Sequence, residues 1–188
     1  GQGAVAAGAA MGVFMKIAVP MERDPAEGRV AATPETVKKL KGLGAEIVVE
    51  RGAGLRSRIL DAEYEAAGAT LASDAASTWA EADVVLTVRR PSAEDAARAR
   101  RGALLIGALD PYGQREAVQG LADAGLVAFS MEFMPRITRA QVMDILSSQA
   151  NLAGYRAVID AAAEYDRAFP MMMTAAGTIT PAKVLVLG

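Results

Sequence analysis

Five short apolar, β-branched runs punctuate this chain, at Lys16 to Val19, Glu46 to Val49, Asp83 to Val88, Ala103 to Leu109 and Leu126 to Phe129, each separated from the next by a stretch of helical character. No other feature restricts the fold as much. Strands that are apolar along both faces must be covered on both faces, and strands joined through helices run parallel. The pattern therefore predicts an α/β domain with a Rossmann-like parallel sheet and helices on either side.

The helical stretches carry their own punctuation. Thr33-Pro34-Glu35 supplies a hydroxyl cap, a proline at the first helical position and an acid in the first turn, and Gly42 and Gly44 stop that helix before the next strand. Further helices are expected at Asp61 to Ala67, Ala75 to Glu81, Ser92 to Arg100 and Gly113 to Ala124. The longest helical pattern runs from Arg139 to Tyr165, where Val142, Ile145, Leu146, Leu152, Tyr155, Val158 and Ile159 recur near a period of 3.6.

At 188 residues the chain has room for one domain and part of another. It closes on Lys183-Val184-Leu185-Val186-Leu187-Gly188, an apolar run reaching a glycine where a dinucleotide-binding G-x-G-x-x-G turn would begin. The expected organisation is an extension over residues 1–14, an N-terminal domain over 15–138, a bridging helix over 139–169 and, over 170–188, the truncated start of a second, Rossmann-type dinucleotide-binding domain. The opening GQGAVAAGAAMGVFM lacks a basic n-region and is too short to span a bilayer, so residues 1–14 are read as a poorly ordered upstream extension rather than a targeting segment.

Composition removes several chemistries. Twenty basic residues against twenty-two acidic ones leave a formal charge of −2, too balanced for a phosphate-backbone binder, so nucleic acid is not an expected partner. The absence of cysteine removes disulfides and thiolate metal sites, and the absence of histidine removes His-based triads, His-ligated zinc and histidine acid/base chemistry from these residues.

The most informative segment for function is MEFMPRITRAQVMDILSSQANLAGYR, residues 131 to 156. It places Arg136, Gln141 and Asp144 on one polar loop entering a helix, with Thr138 and the pair Ser147 and Ser148 close by. Taken alone, such residues most often form a solvated helix start, because polar side chains favour that position for capping. As chemistry, the guanidinium offers a fork of donors, the amide both donates and accepts, and the carboxylate accepts from hydroxyls or from Arg136.

This Arg-x4-Gln-x2-Asp loop resembles the NAD(H)-binding alpha component of the proton-translocating NAD(P) transhydrogenases. The resemblance covers about nine-tenths of the chain, from MKIAVPMERDPAEGRVAATPE, Met15 to Glu35, through RAFPMMMTAAGTITPAKVLVLG at the other end. The first of these segments, with Arg29 between Gly28 and Val30, is shared with alanine dehydrogenases and names only the superfamily. The resemblance implies that Arg136, Ile137, Thr138, Gln141, Val142, Met143 and Asp144 bind NAD(H), with Gln141 and Asp144 positioned for catalysis. It also implies hydride transfer between NADH and NADP, an NADP(H) site on a separate beta component, and a membrane domain that translocates protons. The chain would then be a peripheral, homodimeric component on the cytoplasmic side of a bacterial inner membrane.

Alanine dehydrogenases carry a catalytic lysine in a Val-Lys-Glu-Pro motif where this chain reads Val88-Arg89-Arg90-Pro91, and a catalytic histidine after the next strand, where this chain has Asp110. Arginine does not replace a titrating lysine. Transfer between two nicotinamides needs no proton shuttle, only two rings held together with water excluded. The alternatives are an amino acid dehydrogenase and a non-catalytic nucleotide-binding module. Arg29 is read as structural, salt-bridged to Glu22 or Glu27, Met171 to Met173 as core filling, and Asp160, Glu164 and Asp166 as a solvated helix face.

Overall fold

A computed structural model describes residues 15–187. The extension expected over residues 1–14, and Gly188, lie outside the described residues. The chain divides into two compact units, Gly1–Met134 and Pro135–Gly188.

The first unit holds a six-stranded sheet, all parallel: β1 Lys16–Val19, β2 Glu46–Glu50, β3 Thr70–Ala72, β4 Val84–Arg89, β5 Leu104–Ala108 and β6 Val127–Ser130, in the order β3-β2-β1-β4-β5-β6. Five of these match the five runs to within about a residue at each end. β3 is an addition. Its three residues carry no strand signature of their own and are defined by pairing with Val48, Val49 and Glu50.

Successive side chains of β1 point to opposite faces, and the core divides accordingly. Ile17 and Val19 join Val37, Ile47, Val49 and Tyr64 in a cluster that includes residues of α1 Pro34–Gly42 and α2 Asp61–Ala66. Ala18 joins Trp79, Val85, Leu105 and Leu121 in a second cluster, with residues of α3 Ala75–Trp79, α4 Ala93–Ala96 and α5 Arg115–Asp123. The sheet is thus covered on both faces.

Local chemistry places the helix ends. Thr33 caps α1 by accepting from the Thr36 N–H at 3.3 Å, with Pro34 in the first turn, and Gly44 at φ 91° takes the left-handed turn that leads into β2. Gly107 of β5 has a different reason: a Cβ there would lie 2.5 Å from the Thr87 Oγ1 and 2.6 Å from the Thr87 carbonyl oxygen. The β4–β5 register, irregular between Leu86 and Arg89, admits no side chain at that point.

The second unit is one long helix, α6 Ile145–Glu164, preceded by a 3₁₀ segment at Thr138–Met143 and followed by a two-stranded antiparallel hairpin of β7 Met172–Thr174 and β8 Gly177–Ile179. The helix is shorter at its start than its apolar period predicts, because Asp144 leaves helical geometry to cap it. Past its first residue, its large apolar side chains are exposed, Leu152, Tyr155 and Val158 among them. Met171, Met172 and Met173, expected to fill a core, are exposed as well, and Lys183 to Leu187 forms no strand. An isolated apolar run without a neighbouring strand has nothing to pair with.

Candidate functional site

The loop entering α6 is shaped by spacing. Ile137 is extended, Thr138–Met143 winds as 3₁₀ helix, and Asp144 is extended again at φ −75°, ψ 103°. Residues three or four apart share a side of such a segment. Arg136, Ala140, Gln141, Asp144 and Ser147 accordingly line one recess of about 460 Å³ together with Pro135 and Ile137. Thr138, Val142 and Met143 do not line it, and Val142 is 92% exposed.

The three polar members differ in what they have left to offer. Asp144 is the N-cap of α6: its Oδ1 accepts from the Leu146 N–H at 2.9 Å and the Ser147 N–H at 3.2 Å, and its Oδ2 accepts from the Ser147 hydroxyl at 2.8 Å. The bond from the Ser147 hydroxyl, with the Ser147 N–H behind it, holds this carboxyl below the ordinary aspartate range, and the nearby Arg136 adds to the effect. The charge at this point is fixed in place. The Arg136 guanidinium and the Gln141 amide donate to no other described residue, so their hydrogen-bonding capacity faces the recess and solvent.

Of the seven residues that the resemblance marks for NAD(H), the recess thus gathers Arg136, Ile137, Gln141 and Asp144 and leaves out Thr138, Val142 and Met143, while Ser147 is in the sequence only a neighbour of the loop. The Asp-x-x-Ser spacing is the readable signal for Ser147, since a capping carboxylate meets the residue three positions on. Pro135 and Ala140 carried no signal, being walls rather than donors.

A second group of ion pairs, around Glu22 and Glu27, belongs to the first unit and sits where its sheet reverses winding, beyond the C-terminal ends of β1 and β4, the usual ligand crevice of such sheets. Here the protein's own side chains fill it. Glu27 accepts from the Arg29 guanidinium at 2.7 Å and from Arg89 at 2.9 Å; those bonds, the Arg29 one foremost, pull its carboxyl down to about 2. Of the two partners expected for Arg29, the structure selects Glu27. Glu22 accepts instead from the backbone N–H groups of Val88 and Arg89 at 2.6 and 3.1 Å, and burial pushes its carboxyl up.

Asp110 stands at φ 46° in the left-handed region. Its N–H and that of Leu109 donate to Glu132 at 2.7 and 3.2 Å, while Arg90 donates to both carbonyl oxygens at 2.8 Å. On α6, Asp160 pairs with Arg156 at 2.7 Å as part of a solvated helix face.

Residues 18–153 match the family model described as alanine dehydrogenase/PNT, N-terminal domain. The chain belongs to that family. Within it, an NAD(P) transhydrogenase subunit alpha of Rhodospirillum rubrum is 56% identical over 179 residues, covering 93% of this chain and 47% of that protein. An alanine dehydrogenase of Halomonas elongata is 34% identical over 178 residues, again with 93% and 47% coverage. The crystal structure of a transhydrogenase from Sinorhizobium meliloti superposes with a TM-score of 0.85 at 62% identity, covering 89% of this chain and 50% of that one. Among these family members the transhydrogenases are the more similar, and the chain spans about half the length of each relative.

Proposed function

We propose that this chain carries the NAD(H)-facing loop of a proton-translocating NAD(P) transhydrogenase, with Arg136, Gln141 and Asp144 as its working residues. One observation carries the reading: the three residues share a single recess in which two side chains have uncommitted donors and the third is a fixed negative charge. That donor set suits a nicotinamide ribose and its carboxamide, with Arg136 toward phosphate or ribose oxygens and Gln141 toward either partner type. When bound, the nicotinamide supplies the hydride chemistry itself. The residues here bind and orient, and none of them needs to move a proton.

In this reading NADP(H) resides on a separate beta component, and a membrane domain of the assembly moves the protons. The reading makes this chain peripheral, on the cytoplasmic side, and present in two copies; no helix among the described residues is long and apolar enough to cross a membrane. Amino acid oxidation fits less well. Arg89 stands at the lysine position of that chemistry and is tied to Glu27.

The deciding experiment mixes the full-length protein with its NADP(H)-binding partner and follows hydride transfer from NADH to a thio-analogue of NADP, beside an assay with alanine and NAD. Transfer without alanine oxidation supports the reading. Robust alanine turnover contradicts it.

A further inference from the structure

β5 ends at Ala108, and the next two N–H groups, those of Leu109 and Asp110, donate to the two carboxylate oxygens of Glu132 at 3.2 and 2.7 Å. The Ser130 hydroxyl, at the end of β6, donates to the same oxygen as Leu109. One carboxylate thus ties the ends of two neighbouring strands to the single 3₁₀ turn, Met131–Phe133, that follows them. Phe133 adds an edge-to-face contact with Tyr112, the ring centres 5.5 Å apart. Burial works to raise the Glu132 carboxyl, but the bonds from Ser130 and from the Asp110 and Leu109 N–H groups outweigh it and hold the group below the ordinary glutamate range. The tie is therefore charged at neutral pH.

Glu132 does not line the Arg136 recess, but the chain between them is short and stiff. The first unit ends at Met134, and the recess begins at the next residue, Pro135. Met134 stands at φ −58°, ψ 123°, the extended geometry that a following proline enforces, and the Pro135 ring fixes its own φ. A joint restricted at both residues has little freedom to absorb a shift of the turn before it.

We infer that Glu132 is a positioning residue for the Arg136 loop: by tying the Met131–Phe133 turn to the end of β5, it fixes the point from which that loop departs. The inference rests on the reading of the loop as the NAD(H)-facing site. Loosening the tie leaves Arg136, Gln141 and Asp144 chemically intact and moves only their starting point. Affinity therefore suffers little, whereas the rate suffers much, since displacing reacting rings by an ångström costs on the order of a hundredfold.

The test uses the full-length protein with its NADP(H)-binding partner, following hydride transfer from NADH to a thio-analogue of NADP, beside an NADH titration that gives affinity and number of sites. Glu132→Gln keeps the size but turns one acceptor oxygen into a donor facing an N–H group or a hydroxyl. Transfer is expected to fall by about tenfold or more, with NADH affinity within about a few-fold of wild type. Glu132→Asp keeps both acceptor oxygens on a shorter stem and is expected to fall between the two. Ser130→Ala removes one bond of the three and guards against a folding defect in Glu132→Gln; transfer should drop by about threefold with affinity unchanged. A role confined to the fold would instead lower the number of NADH sites and leave the rate per site at the wild-type value. That result, or wild-type transfer in Ser130→Ala and in every Glu132 variant that folds, overturns the positioning role alone. A wild-type protein that transfers no hydride contradicts the reading of the loop, and the positioning role with it.

Discussion

The hydroxyl of Ser147 donates to the Asp144 carboxylate at 2.8 Å, so the charge at the mouth of the Arg136 recess is anchored to the first turn of α6. A flexible acid would swing between solvent and guanidinium. This one is held by three bonds within its own loop.

Asp144 therefore does two jobs that substitution can separate. Asparagine caps helices about as well as aspartate, so Asp144→Asn is expected to keep the Leu146 and Ser147 amides protected from hydrogen exchange, whereas Asp144→Ala exposes both. Hydride transfer should fall in both variants. Unchanged transfer in Asp144→Asn would reduce the residue to a cap.

Acid stability gives a second test. The folded-state value of Glu27 is depressed to about 2 from an ordinary 4.5, so its contribution is complete above about 4.5 and disappears as pH falls toward 2. It amounts to roughly 2 to 3 kcal/mol, after allowing for the half-exposed positions of Arg29 and Arg89. Glu22 works in the opposite sense: its raised value lets it gain stability on protonation and offsets part of the early loss. Urea midpoints followed from pH 7 to pH 2.5 should drop for the wild type, while Glu27→Gln starts lower and changes much less. Parallel curves would show that the Glu27 bonds contribute nothing.

Gly107→Ala is expected to destabilise the first unit by roughly 1 to 3 kcal/mol, since the new methyl meets the Thr87 hydroxyl and the Thr87 backbone of the neighbouring strand and the strand cannot yield without breaking its ladder. An unshifted denaturation midpoint would contradict the close β4–β5 approach.

These tests bear on features of unequal legibility. The five longer strands and the start of α1 could be read because apolar runs, a proline and a capping threonine act locally. β3 could not, since Thr70, Leu71 and Ala72 become a strand only through partners twenty or so residues away. The pairing of Arg29 with a nearby acid could be read, and Glu27 fulfils it, but the bonds of Glu22 and Glu27 to Val88 and Arg89 were hidden, since nothing in EGRVAATP says which distant residues will face it. The exposed methionines of β7 and the exposed apolar positions of α6 show the converse. A helical period records which face is apolar, not what covers it. At the candidate site, the Arg136, Gln141 and Asp144 spacing was readable, but the capping bond to Ser147 and the walls of Pro135 and Ala140 needed the backbone path.

Whether the Arg136 loop positions a nicotinamide is decided most sharply by Gln141→Asn in the full-length protein mixed with its NADP(H)-binding partner. Stopped-flow transfer from NADH to a thio-analogue of NADP gives the rate, and a separate NADH titration gives the affinity. The shortened amide keeps its hydrogen-bonding groups but moves them back from the recess, and misplacing reacting rings by an ångström costs on the order of a hundredfold in rate. NADH affinity is expected to stay within about a few-fold of wild type, with hydride transfer lowered by about tenfold or more. Transfer at the wild-type rate, with affinity unchanged, would mean that the loop is only a helix start and that Arg136, Gln141 and Asp144 do not form the working site.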